Sequence, residues 1–155
     1  LAILKKENFI WAVQKAVECG VTNIIPIITE RTIKTGINIV RLNKIIREAC
    51  EQCGRSILPV LREILKFENA LTKNEKGEGN SSAFEKIIFH PTGQIHTSNK
   101  NTINISIFIG PEGGFSEKEI DLAKKQNYKI TSLGHLTLRT ETAAIVATYR
   151  IVEGI

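Results

Sequence analysis

The chain has 155 residues, 42% of them hydrophobic and 24% charged, with a formal net charge of +5. That is the size and balance of one globular domain, and it excludes a collagen-like or low-complexity chain. No apolar run approaches the roughly 18 residues of a membrane span and no secretory leader is present, so a cytoplasmic protein without a membrane partner is expected. The basic surplus favours an anionic partner such as nucleic acid. The sequence holds no methionine and opens at Leu1, so the expectation is a piece of a longer protein whose N-terminal part is missing.

In chain order, Leu1 to Leu4 reads as a strand. Asn8 to Cys19 is amphipathic, with Phe9, Val13, Ala16 and Val17 on one face and Gly20 as its stop. Asn23 to Ile28 is an apolar run containing Pro26, hence a buried or edge strand. Glu30 to Gly36 is a polar connection. Leu42 to Cys53 is a second helix, closed by Gly54. Ile57 to Leu61 predicts a short strand, Phe67 to Leu71 a short helix, and Thr72 to Ser82 a surface loop. Lys86 to Phe89 predicts a strand ending at His90-Pro91. Ile103 to Ile109 is strongly β-branched and suits the middle of a sheet. Ser116 and Glu119 form the pattern of a capping box at the start of a helix running to about Gln126. Lys129 to Leu133 predicts another strand, and Thr140 to Val152 a long final helix. Strand-then-helix alternation makes the fold α/β, with a mainly parallel sheet and helices on both faces.

Of the three cysteines, Cys50 and Cys53 form a C-x-x-C. No second pair of ligands stands at zinc spacing, so two small helix residues and no metal are expected.

Ligands in such folds bind at the carboxyl ends of strands. Two strand ends stand out. After Ile109, the run Gly110-Pro111-Glu112-Gly113-Gly114 puts three glycines in five residues, which lets a ligand approach bare backbone. It fits neither a dinucleotide fingerprint nor a P-loop. After Leu133-Gly134, the run Arg139-Thr140-Glu141-Thr142 places a cation, an anion and two hydroxyls at a helix start. Glu141 suits the positive helix end, whereas Arg139 there is unfavourable unless an anion binds it. A tight turn and a capped helix are the plainer alternatives.

Both runs resemble a known family. Ile109-Gly-Pro-Glu-Gly-Gly-Phe-Ser-Glu-Lys-Glu-Ile120 and Leu133-Gly-x-x-x-Leu-Arg-Thr-Glu-Thr-Ala-Ala144 are similar to the signature loops of the RsmE-type 16S rRNA (uracil-N3)-methyltransferases of the SPOUT superfamily. Three further blocks agree in order: Gln14-Lys15-Ala16-Val17-Glu18-Cys19-Gly20-Val21, then Ile25-Pro26 with Glu30-Arg31-Thr32, then Arg47-Glu48-Ala49-Cys50-Glu51-Gln52-Cys53-Gly54-Arg55. The resemblance covers nearly the whole chain.

It implies a SPOUT-like methyltransferase domain over residues 1–155 with a C-terminal trefoil knot, a homodimer, and a separate N-terminal PUA-like RNA-binding domain outside this sequence. The implied cofactor is S-adenosyl-L-methionine, and the implied partner is 16S rRNA or the small ribosomal subunit. The implied reaction methylates N3 of a uridine. In it, Arg139 would stabilise the uracil anion, and Glu112 or Glu141 would accept the proton. Gly110, Gly113, Gly114 and Gly134 would admit the adenosine. Ile109, Leu133 and Leu138 would wall the adenine, Thr140 and Thr142 would bond the cofactor, and His90 would form a third wall. Lys15, Arg31, Arg47 and Arg55 would meet RNA phosphates. One departure is His135-Leu136, where family members often carry Pro-Arg. A 2′-O-ribose methylase on another RNA, or a dimerising binding module without catalysis, are the competing readings.

Overall fold

The computed structural model describes residues 1–5, 7–73, 84–95 and 104–154. Helix α1 (Glu7–Glu18) leads to β1 (Asn23–Ile24) and β2 (Ile27–Ile28), then α2 (Ile39–Cys53), β3 (Val60–Leu61), β4 (Leu65–Lys66) and α3 (Phe67–Lys73). The second half contains β5 (Phe84–Ile95), β6 (Asn104–Ile109), α4 (Glu117–Lys125), β7 (Lys129–Ser132) and α5 (Thr140–Glu153).

Every strand pair is parallel: β1 with β3, β2 with β4, and β5 with both β6 and β7. Residues 1–4 join these ladders. Ala2 bridges Ile27, the Ile27 amide donates to the Leu1 carbonyl, and the Ala2 amide donates to the Ile109 carbonyl. The expected first strand is therefore an interior one, lying between β2 and β6. Pro26 has no N–H, and it divides the expected strand from Asn23 to Ile28 into β1 and β2.

Period-two alternation sends neighbouring residues to opposite faces. Ile87, Phe89 and Ile109 pack with Phe9, Val13, Val17, Leu42 and Ile46 on the α1/α2/α5 side. Ile88 and Phe108 pack with Phe67, Phe115, Ile120 and Tyr128 on the α3/α4 side. The sheet is thus covered on both faces, as expected. The four residues expected on the inner face of α1 are all buried, together with Ala12.

Four boundaries differ from expectation. Helix α2 begins earlier, because the Asn38 side chain accepts from the Arg41 amide. The strand expected over Ile57 to Leu61 is paired only at Val60–Leu61, and β4 follows it unforeseen. Strand β5 does not end at His90-Pro91. It continues to Ile95 through a register shift between Phe89 and Gln94, so that Phe89 and Gln94 both face Thr131. Pro91 falls in the irregular stretch, where no ladder N–H is needed. Gly93 allows the crossing, since a Cβ there would lie 2.5–2.6 Å from the Thr131 backbone. Finally, Thr72 and Lys73 belong to α3, and the remainder of the expected loop to Ser82 lies outside the described residues.

No helix among the described residues is long and apolar enough to cross a membrane, and no group of three or more His, Cys, Asp or Glu among them is placed to hold a metal ion. Cys50 is buried and Cys53 is exposed at the end of α2, where the Cys53 thiol reaches only the Cys50 carbonyl.

Candidate functional site

The two unusual loops leave the carboxyl ends of β6 and β7, and the strand order β6-β5-β7 puts β5 between them. Phe89 pairs with Ile109 on one side and Thr131 on the other, so His90 emerges between the loops.

The first loop is a closed turn. The Gly114 amide donates to the Pro111 carbonyl at 2.8 Å, and Gly114 adopts φ +69°, a left-handed conformation that favours glycine. Gly110 is packed on its underside, where a Cβ would meet the buried Phe115 ring at 3.1 Å. Ile109 is buried, and its carbonyl is held by Ala2. The Arg31 guanidinium donates to the Gly113 carbonyl at 2.8 Å and packs where a Gly113 side chain would stand. Glu112 is exposed, and its Oε1 accepts from the Lys5 amide at 3.0 Å. One oxygen of this candidate base therefore closes the loop onto the first strand.

The helix starts behind the two loops differ. At α4 the capping box is complete: the Ser116 hydroxyl accepts from the Glu119 amide, and the Glu119 carboxylate accepts from the Ser116 amide. This is the capping box expected from the sequence, and it occupies the amides of Ser116 and Glu119. At α5 the N-cap is Arg139, whose side chain makes no capping bond. The first-turn amides of α5 thus lack a side-chain cap, and such groups attract anionic or electron-rich partners. Arg139 is exposed, Glu141 is buried, and Leu138, Thr140 and Thr142 are half-buried. Ser132 donates to the Gly134 carbonyl and Arg150 to the Leu133 carbonyl, which fixes the exit of β7. Gly134 has φ +148° with nothing within 4 Å of a would-be Cβ, so that side of the loop is open.

The four candidate RNA cations do not converge. Arg31 alone lies at the glycine loop. Lys15 pairs with Glu18 at 2.8 Å on α1. Arg55 donates to the Val17 and Val21 carbonyls, both at 2.8 Å, and so closes the C-terminal end of α1. Arg47 is exposed on α2.

The His90 ring is held below its ordinary 6.5, first because it is withdrawn from water and then because the Arg31 and Lys124 cations face it. Its Nδ1 shares a hydrogen bond with the Thr92 hydroxyl at 2.8 Å. The unfolded chain takes up this proton more readily than the folded one. The stability His90 contributes is therefore present above 6.5 and lost as pH falls through the lower folded value. Thermal unfolding followed from about pH 7.5 to about pH 5 should fall more steeply for the wild type than for His90→Gln. Parallel curves would contradict this.

A family model described as RNA methyltransferase domain matches residues 1–152. The chain belongs to this RNA methyltransferase family. It is 37% identical over 148 residues to the ribosomal RNA small subunit methyltransferase E of Rickettsia conorii, covering 95% of this chain and 60% of that protein. Among solved structures, it is similar to the ribosomal RNA small subunit methyltransferase E of Neisseria gonorrhoeae bound to S-adenosyl methionine. That match has a TM-score of 0.84 and 32% identity, covering 95% of this chain and 61% of the other. A methyltransferase of Legionella pneumophila, in complex with the same cofactor, matches with a TM-score of 0.80 and 34% identity, covering 95% and 61%. The chain thus spans about three fifths of the length of these relatives.

Beside the first loop, two residues without an expected site role, Glu30 and Glu119, are bonded to each other. In the sequence Glu119 is half of a capping box and Glu30 part of a polar connection, and both lie in the family-like blocks without an assigned role. In the structure the Glu30 amide donates to Glu119 at 2.9 Å, and the Ser116 hydroxyl donates to the Glu30 carboxylate at 2.8 Å.

Proposed function

We propose that this chain binds S-adenosyl-L-methionine and methylates N3 of a uridine in 16S ribosomal RNA of the small subunit. The observation that carries the reading is the pairing of a closed glycine-rich turn with an uncapped helix start at Arg139, on either side of His90. The residues fit the cofactor. Gly114 and Gly134 have open space where a side chain would stand, and the half-buried Leu133 and Leu138 offer apolar surface in the second loop. Thr140 and Thr142 add hydroxyls at the open helix end.

When bound, the cofactor's sulfonium supplies an activated methyl group. The residues of the chain then have two tasks. The first is to hold the partners in line. The second concerns uracil N3, which carries a proton at neutral pH. Arg139 favours the uracil anion by facing its carbonyl oxygens, and it stays protonated throughout. Glu141 is the better-placed proton acceptor, because one Glu112 oxygen is already committed to the Lys5 amide. The remaining parts of the reading are a trefoil knot at the C-terminal end and a homodimer. Trp11 of α1 and Tyr149 and Val152 of α5, two helices packed on each other, leave large apolar surface exposed that a second copy would cover.

The test is calorimetric titration with S-adenosyl-L-methionine, followed by nucleoside mass spectrometry of small subunits treated with the protein and cofactor. Saturable binding and 3-methyluridine are expected. A 2′-O-methylated product, or no binding to the folded protein, would overturn the reading.

A further inference from the structure

Strand β2 runs into a tight turn at residues 29–32. The Thr32 amide donates to the Thr29 carbonyl at 3.1 Å, and the Thr29 amide donates to the Thr32 hydroxyl at 2.9 Å. Glu30 and Arg31 occupy the middle of that turn, and both reach the first glycine loop. Arg31 donates to Gly113 at 2.8 Å. Glu30 is bonded twice: its amide donates to Glu119 Oε1 at 2.9 Å, and its Oε2 accepts from the Ser116 hydroxyl at 2.8 Å. Glu119 is 5% exposed, and its second oxygen accepts from the Ser116 amide at 2.8 Å. A buried carboxylate accepting two backbone N–H bonds makes short, charge-assisted contacts. The capping box of α4 is thus also a clamp that fastens the turn after β2 to the glycine loop after β6.

The clamp does more than a helix cap requires. A cap satisfies amides of its own helix. Here one carboxylate oxygen is spent on Glu30, 89 residues away in sequence, and the residue so fixed is the neighbour of Arg31. Arg31 has one guanidinium bond to the loop carbonyl and is otherwise exposed, so its remaining donors are available to an anion.

We propose that Glu119 is a positioning residue for methyl transfer: by holding Glu30 it fixes Arg31 across the glycine loop, so that loop and guanidinium meet cofactor and RNA in one prepared geometry. This rests on the function proposed above. Glu119 touches neither reactant. Its effect is routed through Arg31.

Glu119→Gln is the informative substitution. Both carboxylate oxygens face an N–H, so whichever way the amide turns, its NH2 opposes a donor and one of the two bonds is lost. Glu119→Gln, Arg31→Ala and the double variant are compared with the wild type at matched folded fraction, by cofactor titration and by methyl incorporation into unmodified small subunits. Each single change is expected to lower kcat/KM on the order of 10- to 100-fold, the scale of a misplaced but intact site. The double variant is expected to lose no more than the larger single loss, because Glu119 acts only by placing Arg31 and has nothing to place once that side chain is gone. Multiplying losses in the double variant, or wild-type turnover by folded Glu119→Gln, would overturn the positioning role. If Glu119→Gln does not fold, Glu119→Asp replaces it in the same cycle, since the shorter side chain keeps the carboxylate and cannot span the Ser116 and Glu30 amides together. A wild type that neither binds cofactor nor transfers methyl would instead sink the functional reading on which the role depends.

Discussion

Arg139→Ala should slow methyl transfer on the order of 10²–10³-fold while leaving cofactor affinity within about threefold. The residue sits at the N-cap of α5 with extended backbone, φ −61° and ψ 149°, and its carbonyl accepts from the Ala143 amide at 2.8 Å. Alanine retains that backbone bond. The side chain forms no cap, so no helix bond is lost with it. A cation at the positive end of a helix is mildly unfavourable, on the order of 0.3–1 kcal/mol. The thermal midpoint of Arg139→Ala should therefore be unchanged or slightly higher. Exposure at the start of a helix that its charge does not favour is the ground for the role in the reaction proposed for Arg139. Its charge is useful where negative charge develops on uracil. Arg139→Lys should recover part of the rate by restoring a charge without the planar fork. Steady-state kinetics on small subunits, paired with calorimetry, check this. Equal losses in rate and cofactor affinity would reassign Arg139 to cofactor binding.

Phe67→Ala should cost about 3–5 kcal/mol of folding stability, the range for deleting a fully buried ring. Phe67 is 0% exposed and opens the short helix α3. Its ring stands 5.9 Å from that of Phe108 in an edge-on arrangement and 5.2 Å from that of Phe115. Such pairs add to the area term. The effect should reach the site, because Phe115 is the ring against which Gly110 is packed. Loss of Phe67 therefore frees the floor of the first glycine loop, and cofactor affinity should fall along with stability. Denaturant unfolding with an unchanged slope and a lower midpoint is the expected record. Removing the side chain of Val40, which is 82% exposed on α2, is the contrasting control. A Phe67→Ala loss below about 1 kcal/mol would show that this face of the sheet collapses around the gap.

Much of the architecture was legible because it is encoded locally. The inner face of α1 follows from spacing alone, and all of Phe9, Val13, Ala16 and Val17 are buried. The Ser116/Glu119 pair marks the start of α4 and makes both halves of the box. Gly54 ends α2 in a left-handed conformation, as a glycine stop should. What failed were features defined by a distant partner. Strand β4 is two residues long and exists only because β2 lies beside it. Strand β5 looks finished at Pro91, yet the backbone of Thr131 receives it again at Gln94.

The candidate site divides in the same way. Sequence by itself singled out the two candidate stretches: a glycine-rich strand end, and a helix start holding Arg139, Thr140, Glu141 and Thr142. It also determined the α/β alternation that sends both to the carboxyl edge of a parallel sheet. Only the tertiary structure decided that β5 separates the two loops, that α5 has no side-chain cap, and that Arg55 closes a helix. It also decided that Arg31 rests on Gly113. The reason is separation along the chain. The contacts that set the site join residues 82, 89 and 107 positions apart: Arg31 with Gly113, Glu30 with Glu119, and Lys5 with Glu112. Propensity and periodicity act over one or two turns, whereas a hydrogen bond across such a distance exists only once the sheet has brought both ends together.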